Sequence, residues 1–300
     1  MESITQTCQS ERLLIEPLSK KDARFIFDLV NTEAWLRFIG NRNVNSLEDA
    51  SNYITKIQSN PNVTYWTVSL KEDKTKIGII TYIKRDYLET PDIGFAFLPA
   101  YSNMGYAYEA SQAVIKNMIN DYTQLEAVTI PENHSSIKLL KKLGFYFEKE
   151  IVIDNTLLHI YKIDNEKKLI NILIKTFYNV FTRTNNKQPN TELLRQICIP
   201  EGIIISKSGE VHHTYNIETF ITSRQKILTD GTLTQFEEHE TFETTTINKN
   251  ISQRYSHYEK SGILEGKYFE QKGNKLFQFI KTFTGWKIST VLWEDEKRQE

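Results

Sequence analysis

The sequence has few cysteines and no long apolar segment. Cys8 and Cys198 are the two cysteines among its 300 residues, and they lie far apart without a metal-binding spacing. Such a pair predicts free thiols in a reducing compartment rather than a disulfide or a zinc site. No apolar run approaches the roughly twenty residues that span a bilayer, and the N-terminus lacks the basic-then-apolar order of a secretory signal. We therefore expect a cytoplasmic protein without a membrane partner.

An excess of charge of either sign is also missing. The chain has 37 Lys and Arg against 38 Asp and Glu, for a formal net charge of −1. This balance gives no general electrostatic reason to bind nucleic acid or an anionic membrane. Hydrophobic residues make up 39% of the chain, which is enough for ordinary globular cores. The length favours two domains over one.

In the first 163 residues, predicted strands alternate with predicted helices. The strands are expected at residues 12–18, 65–70, 76–84, 92–98, 127–130, 146–153 and 156–162. Ser19 and Ser46 are typical N-caps of the first two helices, and Asp154-Asn155 is a typical hairpin turn between the last two strands. This order predicts a mixed α/β sheet with helices on both faces.

The most informative stretch, residues 91–110, has the pattern of a strand, a tight turn and a helix. Ile93, Phe95 and Phe97 alternate with small residues, Pro99 ends the strand, and Gly105 opens the helix. The first amides of a helix have no internal partners and lie at the positive end of its dipole, so they can bind a phosphate. An ordinary strand-to-helix connection is the alternative interpretation.

A second segment strengthens the phosphate-binding interpretation. After the predicted strand at residues 127–130, a capped helix carries an apolar stripe at Ile137, Leu140 and Leu143 and ends at Gly144. Together and in this order, the two segments resemble the Gcn5-related N-acetyltransferase (GNAT) family, specifically the branch that includes ribosomal-protein N-acetyltransferases. The resemblance implies the acyl-CoA N-acyltransferase fold.

The resemblance also implies a binding site for acetyl-coenzyme A (acetyl-CoA). The turn would hold its pyrophosphate, and its pantetheine arm would lie between the splayed strands 92–98 and 127–130. The residues implied to bind it are Phe97, Leu98, Asn103, Met104, Gly105, Tyr106, Ala107 and Asn133. One departure is Ser102, which stands where the family usually has Arg or Gln.

Acetyl transfer to an amine requires a polarised thioester carbonyl, a base for the ammonium and an acid for the thiolate. Leu140 stands where many family members have an acidic Tyr, so Ser136, at the start of the second helix, is the candidate acid. Its alternative role is a hydroxyl that bonds to the backbone. Asp92, His134 or a water chain is the candidate base, although Asp92 also suits a strand cap. We take Ser136 and Asp92 as the catalytic candidates and expect no metal.

A charged segment, residues 164–168, is predicted as a linker between a first domain, 1–163, and a second domain, 169–300. In the second domain, helices are expected at residues 169–181, 191–197 and 217–228. Strands are expected at residues 203–206, 235–247, 251–261, 264–271, 275–284 and 286–293. Helices followed by a long antiparallel meander predict an α+β fold, in which a curled sheet wraps a helix into a cone with an open mouth.

The second half resembles the nuclear transport factor 2-like (SnoaL-like, cystatin-like) superfamily at residues 177–182, 215–220, 253–258 and 285–288. This resemblance implies the cone-shaped fold and leaves the function open. Glu238 and Glu240 share one strand face, which we interpret as a solvated charged face. Arg254 and Tyr258 either line the interior of the cone or pair with glutamates across strands.

The sequence as a whole predicts an N-acetyltransferase that moves an acetyl group from acetyl-CoA to an amine, either a protein N-terminus or a small molecule. The second half would bind a ligand or form a homodimer. One alternative is a non-catalytic binding or assembly protein with a degenerate transferase domain. Another places the main activity in the cone, on a small hydrophobic substrate.

Overall fold

The computed structural model describes residues 7–296, whose strands form two separate sheets. The sheets belong to two compact units, Met1–Asn165 and Glu166–Glu300, hereafter the first and second units. The residues predicted as a linker, 164–168, are the last residue of a strand, a connecting asparagine and the first residues of a helix.

The first unit is an eight-stranded sheet with helices. Its strands are β1 (Cys8–Gln9), β2 (Leu13–Pro17), β3 (Val63–Leu70), β4 (Lys76–Ile83), β5 (Asp92–Phe97), β6 (Gln124–Thr129), β7 (Tyr146–Ile153) and β8 (Thr156–Asp164). Its helices are α1 (Ala23–Val30), α2 (Glu33–Phe38), α3 (Leu47–Gln58), α4 (Tyr106–Met118) and α5 (His134–Lys142). The strand order is β1-β2-β3-β4-β5-β6-β8-β7, and β5 and β6 pair in parallel. The predicted mixed α/β sheet is therefore confirmed.

Local sequence signals account for most boundaries in this unit. The Ser46 hydroxyl accepts the Asp49 amide at 3.1 Å at the start of α3, and Ser19 forms a capping box with Asp22. Asp154 and Asn155 both have positive φ, as the tight turn between β7 and β8 requires. The helix α2, which has six residues and buries Trp35, was not predicted from the sequence.

The second unit is a six-stranded sheet packed against helices. Its strands are β9 (Cys198–Ser208), β10 (Val211–Asn216), β11 (Leu233–Asn248), β12 (Ile251–Leu264), β13 (Lys267–Thr282) and β14 (Gly285–Asp295). Its helices are α6 (Glu166–Asn179), α7 (Leu194–Ile197) and α8 (Ile217–Thr229). The order is β10-β9-β14-β13-β12-β11. Phe177 of α6, Phe220 of α8 and Phe277 of β13 belong to one buried core.

The predicted strand ranges leave Gly262 and Gly273 between strands, and this prediction is wrong, because both glycines lie inside strands. Gly273 pairs with Tyr258, and Gly262 pairs with Phe269. A Cβ on Gly273 would lie 2.5 Å from the Tyr258 hydroxyl, and one on Gly262 would lie 3.0 Å from the Phe269 ring. The glycines therefore make room for aromatic rings across the strand, and β13 is one strand instead of the two predicted.

Two further observations concern the composition-based predictions. Cys8 and Cys198 are both free thiols, as predicted. Within residues 7–296, none of the helices has the length and apolar character needed to cross a membrane.

Candidate functional site

The first unit has a cleft where β5 and β6 separate. Among the described residues, these parallel strands pair at one position, Asp92 with Glu126. Beyond it, the Val128 amide donates to the Asp92 carboxylate at 3.3 Å instead of to the β5 backbone. Residues of both strands line the resulting cleft of about 1000 Å³. The splayed parallel strands predicted from the sequence are therefore present.

The turn that follows β5 leaves a row of backbone amides unpaired. Asn103 and Gly105 have φ angles of 60° and 82°, and α4 begins directly after them. Within residues 7–296, the amides of residues 103–108 donate to no acceptor, and the first bonded amide is Glu109, 3.0 Å from the Gly105 carbonyl. Six free donors at the positive end of a helix form an anion-binding concavity. Glycine suits the left-handed position and leaves no Cβ there.

Arg12 braces this turn and was missed by the sequence analysis. Its guanidinium forms two bonds of 2.7 Å to the Glu109 carboxylate and one of 3.3 Å to the Met104 carbonyl. It also lies 4.4 Å from the centre of the Tyr106 ring. Arg12 thus places a cation beside a turn that carries Ser102 instead of the family's Arg or Gln. No short-range signal could have revealed it, because 92 residues separate Arg12 from Met104.

The start of α5 faces the same cleft. The Asn133 side chain accepts the Ser136 amide at 3.1 Å, so Asn133 is the N-cap. Ser136 is half-buried, and its hydroxyl forms no hydrogen bond with any residue of the described chain. The alternative role of a backbone-bonding hydroxyl is therefore not observed. His134 is exposed and is not among the residues that line the cleft.

Asp92 lies at the point where the strands part. Its carboxylate is 3% exposed and lies 2.6 Å from the Arg85 guanidinium. Burial raises the pKa of Asp92, while Arg85 and the Val128 amide act in the opposite direction. Arg85 is partly exposed to the cleft. The pair therefore combines a buried anion with a cation that solvent or a ligand can reach.

The structure brings most of the predicted site residues together. Those that line the cleft are Asp92, Phe97, Asn103, Gly105, Ala107, Asn133 and Ser136. Three others do not. Leu98 packs against a core and donates its amide to Ile77, Met104 is 54% exposed, and the Tyr106 ring lies beside Arg12.

The charged residues that line the cleft are mostly cations. They are Arg42, Arg85, Lys138, Lys142 and Asp92. The one carboxylate among them, Asp92, is already paired with Arg85. Arg42 is exposed and forms no ion pair with residues 7–296. The cleft therefore suits an anionic ligand better than a polycationic one.

The second unit contains a smaller cavity of about 110 Å³. Ion pairs in this unit correct the interpretation of Glu238 and Glu240 as a solvated charged face. Glu238 is 6% exposed and lies 2.5 Å from Lys275, and Glu240 lies 2.5 Å from Arg254. The predicted pairing of Arg254 with a glutamate across strands is thus observed. Burial lowers the pKa of Lys275 to about 8, against the effect of Glu238.

Comparison with known proteins bears on the first unit. Residues 12–146 match the family described as "Acetyltransferase (GNAT) domain". The chain is 30% identical over 137 residues to the uncharacterized N-acetyltransferase YnaD of Bacillus subtilis, which covers 45% of this chain and 79% of the relative. Over 146 residues it is 24% identical to YoaA of the same organism, with 47% and 82% covered.

Among solved structures, a GNAT-family acetyltransferase from Bacillus anthracis is 27% identical and has a TM-score of 0.47, with 53% of this chain and 98% of that chain covered. The unpaired amides, the splayed strands and the match to YnaD all lie in the first unit. The chain therefore belongs to the GNAT acetyltransferase family and is an acyltransferase whose acetyl donor is acetyl-CoA.

Proposed function

We propose that the first domain, residues 1–163 in our division, acetylates a primary amine, with its cofactor diphosphate on the amides of residues 103–107. The main support is the combination of six free amides with a gap between β5 and β6. A pantetheine arm in that gap would bring the thioester next to Ser136. Amides at the end of β5 would polarise the carbonyl, and Asn133 would contact the cofactor.

In this mechanism the neutral amine attacks the thioester carbonyl carbon, and the carbon–sulfur bond breaks. Ser136 gives its hydroxyl proton to the departing thiolate, and the proton released by the amine returns to Ser136 through water. For Asp92 we propose a positioning role, because one carboxylate oxygen already accepts from Arg85 and the other from the Val128 amide. It would hold β5, β6 and Arg85 in place around the thioester.

We expect Ser136→Ala to lower kcat by about 100-fold and to leave the KM for acetyl-CoA within a few-fold. The reason is that the variant loses the acid for the thiolate while keeping the N-cap, which uses the Asn133 side chain and the backbone of residue 136. The rate of free-thiol release, followed at varied acetyl-CoA concentration, measures kcat and KM. Ser135→Ala is the matched control, because Ser135 is the neighbouring hydroxyl and also lines the cleft. Equal kcat in both variants would remove Ser136 from the mechanism.

For the acceptor we propose an amine that also carries a carboxylate or lies in a peptide, such as a protein N-terminus of the kind that the ribosomal-protein branch acetylates. The support is the free cation Arg42 and the paired state of Asp92, the single carboxylate that lines the cleft within residues 7–296. A polyamine would place several cations beside two arginines.

A panel of peptides, amino acids and polyamines, assayed by free-thiol release, tests the acceptor class. We expect peptide or amino-acid acceptors to have the highest kcat/KM, and Arg42→Gln to lower it for acidic acceptors more than for neutral ones. Polyamines as the best substrates would contradict the acceptor class. Binding of acetyl-CoA without thiol release from any amine would support the non-catalytic alternative.

For the second domain, residues 169–300, we propose a nuclear transport factor 2-like (SnoaL-like) cone that binds a ligand. Helices before a long meander, strand bulges and a cavity lined by helices and strands support this class. Homodimer formation is a second candidate role, because Phe242, Tyr255 and Leu276 share an exposed face of the sheet and are 56%, 37% and 47% exposed. Sedimentation of the full chain tests it, and a monomer at all concentrations would exclude this role. A cytoplasmic location stays a prediction from the sequence.

A further inference from the structure

The cavity of the second unit has apolar walls. Its aromatic lining comes from α6, the segment directly after α6, α8, β11 and β14, and consists of Phe177, Phe181, Phe220, Phe236 and Trp293. Its volume of about 110 Å³ approaches that of engineered apolar cavities of about 150 Å³ that accept benzene. The space therefore suits a compact apolar group about as large as one ring or a short branched chain.

The charged residues at the cavity form pairs that cancel. Lys275 and Glu238 are 4% and 6% exposed and lie 2.5 Å apart. Lys260 lies 2.6 Å from Asp295, which also accepts the Tyr258 hydroxyl at 2.5 Å. Neither lysine has a free charge to offer, and neither carboxylate can attract a cationic ligand without losing its partner.

Arg224 on α8 is the exception. Its guanidinium lies 4.9 Å from the centre of the Phe220 ring and 5.7 Å from that of Trp293. It forms no ion pair or hydrogen bond with any residue of the range 7–296. Burial lowers the pKa of Arg224, with smaller opposing effects from Tyr215, Glu238 and Asp295. The cavity wall thus holds one half-buried cation that lacks an anion.

We propose that this cavity binds a small monocarboxylate, whose apolar body lies among the aromatic rings and whose carboxylate pairs with Arg224. The inference rests on the ligand-binding role proposed above for the second domain. A guanidinium can hold a carboxylate through two parallel hydrogen bonds, and these bonds are strong where water is displaced. A dianion would require a second unpaired cation, which the two paired lysines do not supply. An amine would meet Arg224 with like charge.

Calorimetric titration of the full chain tests the proposal. The probes are short-chain and phenyl-substituted monocarboxylates, each compared with its neutral primary amide. We expect at least one carboxylate to bind about tenfold or more tightly than its amide, as a charge-assisted hydrogen-bonded pair implies. Arg224→Met should abolish this preference while keeping an unbranched apolar stem, and Arg224→Lys should restore part of it.

Lys226→Met is the matched control, because Lys226 is an exposed cation on the same helix, and it should keep the full preference. Thermal unfolding of each variant shows whether it is folded, and amide binding by Arg224→Met shows that its cavity is intact. Equal binding of carboxylates and amides by the unmodified chain would overturn the carboxylate assignment and leave the ligand-binding role standing. Binding of neither class at millimolar concentration would overturn both.

Discussion

The two units present polar groups to their cavities in different ways. In the first unit, the cleft faces a row of unpaired backbone amides. These hydrogen-bond donors belong to the main chain and not to side chains. In the second unit, the cavity faces charged side chains from strands β11, β12 and β13. A backbone site is formed by one short segment, whereas a side-chain site depends on the register of strands that are distant in sequence.

Because of this difference, we expect mutations at the two sites to have different effects. Free amides at residues 103–108 keep their orientation as long as the turn and α4 keep their shape. The pair of Lys275 and Glu238 instead costs desolvation that only the partner offsets, so losing one partner leaves a buried charge. We therefore expect the most severe loss of stability in the second unit and the most severe loss of binding in the first.

The largest effect is expected for Lys275→Met. The variant leaves the Glu238 carboxylate buried without its cation, which should lower the free energy of unfolding of the second unit by about 3–5 kcal/mol. Urea unfolding of the full chain, with amide hydrogen exchange followed in β13, measures the second unit separately.

The double variant Lys275→Met/Glu238→Leu should recover most of this loss, because neither charge of the pair then stays buried. Lys272→Met is the matched control on the same strand. Lys272 pairs with Glu259 at the surface, where both side chains are largely exposed, and its removal should change stability little. A Lys275→Met protein as stable as the unmodified chain would show that the pair is dispensable.

Gly105→Asp should have the next largest effect, on cofactor binding. The left-handed φ of 82° strains any side chain equally in the free and bound protein, so that strain cancels from the Kd. A carboxylate beside the proposed diphosphate site does not cancel, and we expect the Kd for acetyl-CoA to rise about 100-fold, or about 2.7 kcal/mol.

Gly105→Ala separates charge from strain. An added Cβ would lie 3.5 Å from the Arg12 guanidinium, which is an ordinary contact. The alanine variant should therefore melt at a lower temperature but keep its Kd within about fivefold of the unmodified chain. Calorimetric titration measures both variants, and an unchanged affinity in Gly105→Asp would place the diphosphate elsewhere.

The contrast between the two cavities explains what the sequence could predict. The strand, turn and helix around Gly105, and the capped helix that ends before Gly144, depend on residues close in sequence, and the structure has both features where they were predicted. Arg12 reaches the turn through the pairing of β2 in the sheet. Arg224 reaches its cavity through the packing of α8. Neither contact can be inferred from the local periodicity of the sequence.

Three glycines illustrate the same limit on prediction from the sequence. Gly105 was correctly placed in a turn because a strand and Pro99 precede it. Gly262 and Gly273 each follow a polar residue, Ser261 and Lys272, yet each lies in a strand opposite an aromatic ring. Only the cross-strand partner distinguishes these cases, and the partner is set by a register that the sequence analysis could not derive.

The smallest effect is expected for Asp92→Asn, which tests the ion pair of the first unit against that of the second. The amide keeps an oxygen that can accept from Val128, and the Arg85 side chain is 34% exposed, so water can solvate it. We expect a loss of about 1–3 kcal/mol in unfolding free energy, less than for Lys275→Met.

The same variant tests the proposed role of Asp92 in catalysis. If Asp92 holds β5, β6 and Arg85 in place as proposed, the KM for acetyl-CoA should rise while the pH dependence of kcat/KM keeps its shape. Disappearance of the acidic limb of that profile, with an unchanged KM, would instead identify Asp92 as the base, because a base that is absent can no longer be protonated. Asp86→Asn, a change to a carboxylate on the nearby loop that does not line the cleft, is the control and should alter neither quantity.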